Sequence, residues 1–144
     1  MADVWIGLDL GQHTDYAAAA VVRRSMTFDP ITGHPERNHA GFPLYKFEVM
    51  GIRRYPLGTP YTSIVHHIGG QVQRPELGRR PRLVVDATGC GGPVVEMFRT
   101  ALARLPHVEV HSVVITAGSG WRPVARWSWH VSKVELVSAI RATL

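Results

Sequence analysis

The chain is poor in cysteine, in lysine and in long apolar runs. Its single cysteine, Cys90, excludes an internal disulfide framework and is typical of a reducing compartment. No apolar run is long enough to span a bilayer, and the N-terminus lacks a signal-peptide pattern. We therefore expect a cytoplasmic protein without membrane contact.

Arginine supplies nearly all of the positive charge. The 16 cationic residues include only two lysines, and the formal net charge is +5 at pH 7. The planar guanidinium group suits phosphate, so a basic domain of this kind is predisposed to bind polyanions such as nucleic acid. The same composition also follows from a GC-rich genome or from thermophily. The length of 144 residues and the hydrophobic content of 45% predict one domain, residues 1–144, with a real core.

The first part of the chain predicts three consecutive strands. Residues 4–10 form an apolar run that predicts a buried strand with one carboxylate, Asp9, in it. Residues 17–23 and 45–55 predict the second and third strands, joined by a long loop rich in proline and glycine over 24–44. Three strands without an intervening helix indicate an antiparallel meander.

The second part alternates helices with strands. We predict a helix starting at Thr59-Pro60, a loop over 74–81, a strand over 83–86, a helix from Pro93, a strand over 108–115, an irregular segment over 116–129 and a helix with a capping box at Ser132 and Glu135. Right-handed crossovers then give an α/β fold, a mixed sheet covered by helices. This order resembles the ribonuclease H-like fold, which implies a central first strand lying beside the fourth.

Two aspartates stand at strand ends far apart in the sequence. Asp9 ends the first apolar run, and Asp86 ends the fourth. Convergent carboxylates can hold Mg²⁺ or Mn²⁺, and a two-metal site about 4 Å across can hydrolyse a phosphodiester. Asp86 could instead cap the turn before the next helix. Asp15 could act as an auxiliary metal ligand or as a simple turn residue.

A nucleic-acid contact is predicted near the C-terminal end. Aromatic and cationic residues interleave there, as is typical of strand-binding surfaces. They are Trp121, Arg122, Arg126, Trp127 and Trp129. Lys133, at the start of the last helix, could approach a phosphate. The alternatives are a loop anchored to the core through tryptophan and an ordinary surface lysine.

Other site types find less support. The glycine-rich turn over 89–92 is not followed by the Gly-Lys-Ser/Thr of a phosphate-binding loop. Cys90 has no evident base partner, which argues against a nucleophile. The eight histidines do not show a zinc-ligand spacing.

Several segments, in the same order, resemble the nuclease domain of phage terminase large subunits. They are residues 7–11 (GLDLG), 15–18 (DYAA), 55–61 (YPLGTPY), 83–89 (LVVDATG), 92–95 (GPVV) and 131–137 (VSKVELV). The resemblance implies an endonuclease that cuts double-stranded DNA during packaging in the host cytoplasm, with Asp9 and Asp86 as metal ligands. It also implies a packaging ATPase domain or other terminase subunits as partners.

The resemblance is incomplete at the C-terminal end. The family carries a third acid beyond the last resembling helix, whereas no acid follows Glu135 here. We therefore expect either a truncated nuclease domain or a non-catalytic DNA-binding or assembly remnant. A Holliday-junction resolvase-like nuclease and an actin-like or sugar-kinase ATPase remain alternatives, since both carry a similar first strand.

Overall fold

Two parallel apolar strands form the centre of the sheet. They are β1 (Asp3–Asp9) and β4 (Arg82–Asp86), seen in a computed structural model that describes residues 3–11, 14–89 and 91–142. Ile6, Leu83 and Val85 are fully buried between this pair and the helices. Burial of such side chains stabilises the fold by about 1.5–3 kcal/mol each.

The remaining strands extend this pair into one mixed sheet, and the helices connect them. These elements are β2 (Ala18–Met26), β3 (Tyr45–Arg54), α1 (Tyr61–Gln71), a short 3-10 helix (Pro75–Leu77), α2 (Gly91–Leu102), β5 (Glu109–Thr116), β6 (Trp121–Ala125), β7 (Ser128–Ser132) and α3 (Lys133–Arg141). The sheet has seven strands in the order β3-β2-β1-β4-β5-β7-β6. Strands β1, β4, β5 and β7 are mutually parallel. β2 pairs antiparallel with β1, β3 with β2, and β6 with β7. The predicted α/β class and mixed sheet are confirmed.

The two faces of the sheet differ in their covering. Alternate residues of β1, including Ile6 and Leu8, belong to a core shared with Ile68 of α1 and Phe98 of α2. On the other face, a methyl group placed on Gly7 would meet no described atom within 4 Å. Helices α1 and α2 therefore cover one face, and the middle of the opposite face is open in the described part of the chain.

The segment over 116–129 is not irregular as predicted, because it contains a hairpin. β6 pairs antiparallel with β7, and the Trp121 and Trp129 rings lie 5.7 Å apart. The turn between these strands places Trp127 at a φ of 61°. The glycines at 118 and 120 argue against strands in this segment, although its valine and tryptophan residues favour them.

The helix starts were predicted with mixed success. The hydroxyl oxygen of Ser132 accepts the backbone N–H of Glu135 at 3.2 Å, which confirms the cap of α3. The predicted cap at Thr59 is wrong, because its hydroxyl donates to the carbonyl of Pro56 at 2.7 Å and Pro60 is the cap residue. α2 begins at Gly91, two residues before Pro93.

Among the described residues, no helix is long and apolar enough to cross a membrane.

The chain turns back sharply after β1. A Cβ on Gly11 would overlap the backbone of Asp15 and Tyr16. The hydroxyl of Tyr61, on α1, donates to the carbonyl of Gly11 at 3.2 Å. This close approach fixes where Asp15 lies relative to the end of β1.

We predict that Gly11→Ala lowers the free energy of unfolding by roughly 1–3 kcal/mol, because the added methyl group displaces the returning backbone. Urea denaturation measures the change. The control is Gly70→Ala in α1, where a Cβ meets nothing within 4 Å. That substitution should stabilise the protein by about 0.5–1 kcal/mol. Equal effects of the two substitutions would contradict the tight turn.

Candidate metal centre

Asp9 and Asp86 lie next to each other at one edge of the sheet. They are the last residues of β1 and β4 and are register partners across the parallel pair. Adjacent strands are about 4.8 Å apart, and register partners direct their side chains to the same face. The fold thus brings together the two acids that the sequence predicts.

Negative charge accumulates around Asp9. Partial burial raises the pKa of its carboxyl, and the charges of Asp86 and Asp15 raise it further. Asp9 is nevertheless exposed to water, so its predicted place within a buried strand is wrong. It belongs to the open face of the sheet, where no helix of the described residues covers it. Repulsion among these acids would be relieved by a bound cation.

Asp86 also has the structural role that the sequence left open. Its Oδ1 accepts the backbone N–H of Thr88 at 2.8 Å, which closes a turn before α2. The hydroxyl of Thr88 in turn accepts the N–H of Ile115 at 2.7 Å, tying the turn to β5. Such a bond orients a carboxylate and is compatible with metal ligation, because a carboxylate offers about four lone-pair sites.

Asp15 reaches the neighbourhood of Asp9 through the turn at Gly11. It is exposed, and it lies close enough for its charge to affect the pKa of Asp9. The prediction that this turn folds back toward Asp9 is confirmed by the packing of Gly11 against Asp15. Cys90 lies outside the described residues.

The donor set suits a hard cation only in part. Within residues 3–11, 14–89 and 91–142, no three side chains of histidine, cysteine, aspartate or glutamate converge to hold a metal ion. A pair of carboxylates nevertheless fits Mg²⁺ or Mn²⁺, because Mg²⁺ usually keeps several waters and binds through one or two carboxylates and the phosphates of the substrate. The arrangement therefore suits one ion directly, and a second ion stays a prediction.

Lys133 and Trp121 lie on the acidic side of the sheet. Lys133 is exposed and starts α3 directly after β7, whose C-terminal end shares an edge with those of β1 and β4. Trp121 is 62% exposed and lies on the open face, because its ring contacts Trp129, a register partner of Val113. Both can contact a polyanion that approaches this edge and face.

Arg122 and Arg126 point elsewhere. Arg122 alternates with Trp121 along β6 and therefore belongs to the opposite face. Arg126 lies at the other end of the sheet, with its guanidinium 5.5 Å from the centre of the Trp127 ring. The structure does not bring these two arginines to Asp9 and Asp86.

Arg54 is a candidate that the sequence analysis did not identify. It is the register partner of Ala18, which is itself the register partner of Asp9, so all three share a row and a face. Its guanidinium lies 4.4 Å from the centre of the Tyr16 ring. The sequence does place Arg54 near the end of the predicted strand over 45–55. The pairing of that strand, which brings Arg54 into line with Asp9, is visible only in the structure.

We predict that Asp9→Asn raises the melting temperature at pH 7 in the presence of EDTA. The pKa of Asp9 is raised above its ordinary value of 3.8, so its charge opposes folding as the pH rises through that range. The gain should disappear as the pH falls below 3.8, where the carboxyl becomes protonated in both the folded and the unfolded state. Scanning calorimetry over this pH range measures it.

Asp29→Asn is the matched control. Backbone N–H groups of Thr32 and Ile31 donate to Asp29 and lower the pKa of its carboxyl. Its charge therefore stabilises the fold at neutral pH and loses that effect as the pH falls through its pKa. The substitution should lower the melting temperature at pH 7. A lower melting temperature for Asp9→Asn as well would show that burial and the neighbouring acids do not disfavour the charge of Asp9.

The chain was compared with protein-family models, with curated proteins and with solved structures, and none of these comparisons found a match.

Proposed function

We propose that this chain is a divalent-metal-dependent endonuclease domain that cleaves double-stranded DNA. The observation that carries the proposal is the register pairing of Asp9 with Asp86 at the ends of two parallel strands. Burial, followed by the charges of Asp86 and Asp15, raises the pKa of Asp9, and a cation bound there would stabilise the ionised carboxylate. The net charge of +5 supports a polyanionic substrate.

The proposed roles follow from position. Asp9 and Asp86 hold Mg²⁺ or Mn²⁺, which when bound supplies Lewis-acid stabilisation of a phosphate oxygen and lowers the pKa of bound water. Asp15 orients a water near Asp9 as an auxiliary acid. Arg54 and Lys133, on either side of the acidic pair, hold the DNA backbone through charge-assisted hydrogen bonds to phosphate oxygens.

The resemblance to terminase nuclease domains supports a role in phage DNA packaging within the host cytoplasm. In that role the substrate is concatemeric duplex DNA. The sequence has no Gly-Lys-Ser/Thr phosphate-binding loop. We therefore propose that a packaging ATPase domain or another terminase subunit drives DNA translocation.

A non-catalytic DNA-binding module is the second candidate. One observation favours it, namely that no third metal-binding side chain joins Asp9 and Asp86 among the described residues. Such a module would retain the basic surface and bind duplex DNA without cutting it. The two candidates differ in one measurable property, phosphodiester cleavage.

We expect the protein to nick supercoiled plasmid in the presence of Mn²⁺, and Asp9→Asn and Asp86→Asn to reduce cleavage by a factor on the order of 10² or more. Asparagine at 86 keeps an Oδ1 that can accept the Thr88 N–H, so this change removes the charge and preserves the turn. Gel assays with Mn²⁺, Mg²⁺ and EDTA measure the rate.

Glu135→Gln is the control, because Glu135 is an exposed acid in the first turn of α3 and the substitution should leave the rate unchanged. Duplex binding without cleavage in either metal would overturn the nuclease and support the binding module. Preferential cleavage of four-way junctions would instead support a resolvase-like activity.

A second prediction concerns the DNA surface. Lys133→Gln should weaken duplex binding and reduce the slope of log affinity against log salt by about one, whereas Arg126→Gln should leave both nearly unchanged. Both side chains are exposed, but only Lys133 shares an edge with the acids. Fluorescence anisotropy across a salt series measures the slope. A larger loss with Arg126→Gln would place the DNA at the opposite end of the sheet.

A further inference from the structure

A cleft of about 230 Å³ lies between α1 and the outer strands β2 and β3. Its apolar lining includes Ile6 and Val21, and its polar lining consists of Arg53, His67, Gln71 and Arg74. None of the lining residues is acidic. The cleft is on the helix-covered face, because Arg53 alternates with Arg54 along β3 and pairs with buried Ala19.

The polar groups of the cleft form one connected network around His67. Its Nδ1 lies 2.8 Å from the hydroxyl oxygen of Tyr55, and its Nε2 lies 3.2 Å from an Arg53 guanidinium nitrogen. The Gln71 amide nitrogen lies 3.4 Å from the same Nε2, and Arg74 donates to the Gln71 amide oxygen at 3.2 Å.

This geometry determines the protonation of the imidazole. A guanidinium group can only donate, so Nε2 must accept and carries no proton. The proton is therefore on Nδ1 and is donated to Tyr55, whose side chain is buried. Burial, followed by the charges of Arg53 and His66, lowers the pKa of His67, which agrees with a neutral ring.

Positive charge in the cleft is only partly compensated. Arg74 has an exposed ion pair with Glu76 at 3.7 Å. Arg53 makes no ion pair among the described residues, and its guanidinium lies 5.4 Å from the centre of the Tyr55 ring. An anion between Arg53 and Arg74 would therefore meet two guanidinium donors, the Gln71 amide and an imidazole able to gain a proton.

We propose that this cleft binds a phosphate group. Two guanidinium groups suit its several acceptor oxygens, since arginine binds phosphate through paired N–H groups. The volume is below the roughly 300–1,000 Å³ of sites that enclose a whole drug-sized ligand, so the cleft takes one phosphate and leaves the rest of the molecule outside. The phosphate belongs either to a mononucleotide or to a DNA backbone. This site lies on the face opposite Asp9 and does not depend on the proposed nuclease function.

Binding of the anion should be coupled to proton uptake by His67. A dianion beside the ring favours the imidazolium form, so affinity should rise as the pH falls through the range in which His67 titrates. The groups around the ring are Arg53 and Tyr55 from the β3 side, His66 and Gln71 from α1, and Arg74 with its partner Glu76 beyond the helix. No acid lines the cleft to mask the effect.

The test is titration calorimetry with sulfate, a phosphate mimic that stays a dianion while histidine titrates. Wild type should bind sulfate saturably and roughly tenfold more tightly at pH 6 than at pH 8. Arg53→Gln and Arg74→Gln should each weaken binding by about tenfold. Arg104→Gln, at an exposed arginine outside the cleft, is the charge-matched control and should change nothing. His67→Gln should abolish the pH dependence.

Competition distinguishes the two sources of phosphate. If a 5′-mononucleotide displaces sulfate and a 12-base-pair duplex does not, the ligand is a free phosphate ester; the reverse result identifies a DNA backbone. Circular dichroism checks that each variant is folded, and either arginine variant suffices if the other unfolds. Absence of saturable sulfate binding by wild type, or equal affinity in the folded arginine variants and Arg104→Gln, would overturn the site. An unchanged pH dependence in His67→Gln would overturn the proton coupling.

Discussion

Five register pairs join β1 to β4, from Trp5 opposite Arg82 to Asp9 opposite Asp86. Ile6 and Leu83 form one of these pairs and are fully buried. A slip of one residue would move every side chain of β1 to the other face and bring its carboxylates into the core. The burial of the apolar residues therefore fixes the register, and the register places the acids side by side on the open face.

The acids at the two ends of this strand pair have different surroundings. At the end where β1 and β4 begin, Arg24 donates to Asp3, and this hydrogen bond lowers the pKa of the Asp3 carboxyl. Burial there acts to raise the pKa of Glu109, but hydrogen bonds from Arg82 and His111 lower it overall. At the end where β1 and β4 finish, Asp9 has no ion pair among the described residues and its pKa is raised. Neutralised acids at one end are explained by stability alone, whereas an acid such as Asp9, whose pKa is raised by burial and by neighbouring acids, is typical of a functional site.

How much the sequence predicts depends on whether the signal is local. The apolar runs that end in Asp9 and Asp86 and the helix cap at Ser132 are local patterns, and their placement is confirmed. The reciprocal half of the predicted capping box is not formed, because the backbone N–H of Ser132 donates to the carbonyl of Gly120 at 2.9 Å. The exposure of Asp9 depends on whether another element covers that face, which strand periodicity does not state. The hairpin of β6 and β7 depends on pairing with β5 and on a turn with Trp127 at positive φ, a conformation rare for a bulky residue. The exposure of Asp9 and the β6–β7 hairpin therefore depend on contacts between distant segments, which a local sequence pattern does not show.

The adjacent residues Arg53 and Arg54 connect the two candidate sites. Strand alternation sends Arg54 to the open face, in the row of Asp9, and Arg53 to the cleft beneath α1. Ligands at the two sites would thus occupy separate solvent spaces on opposite faces and would not touch. One structural path between them runs through the end of β3, where the N–H of Tyr55, the residue after the strand, donates to the carbonyl of Ala17 at 2.8 Å. Ala17 directly precedes β2, whose first residue is the register partner of Asp9, so a shift at the cleft has a short structural path to the acidic pair.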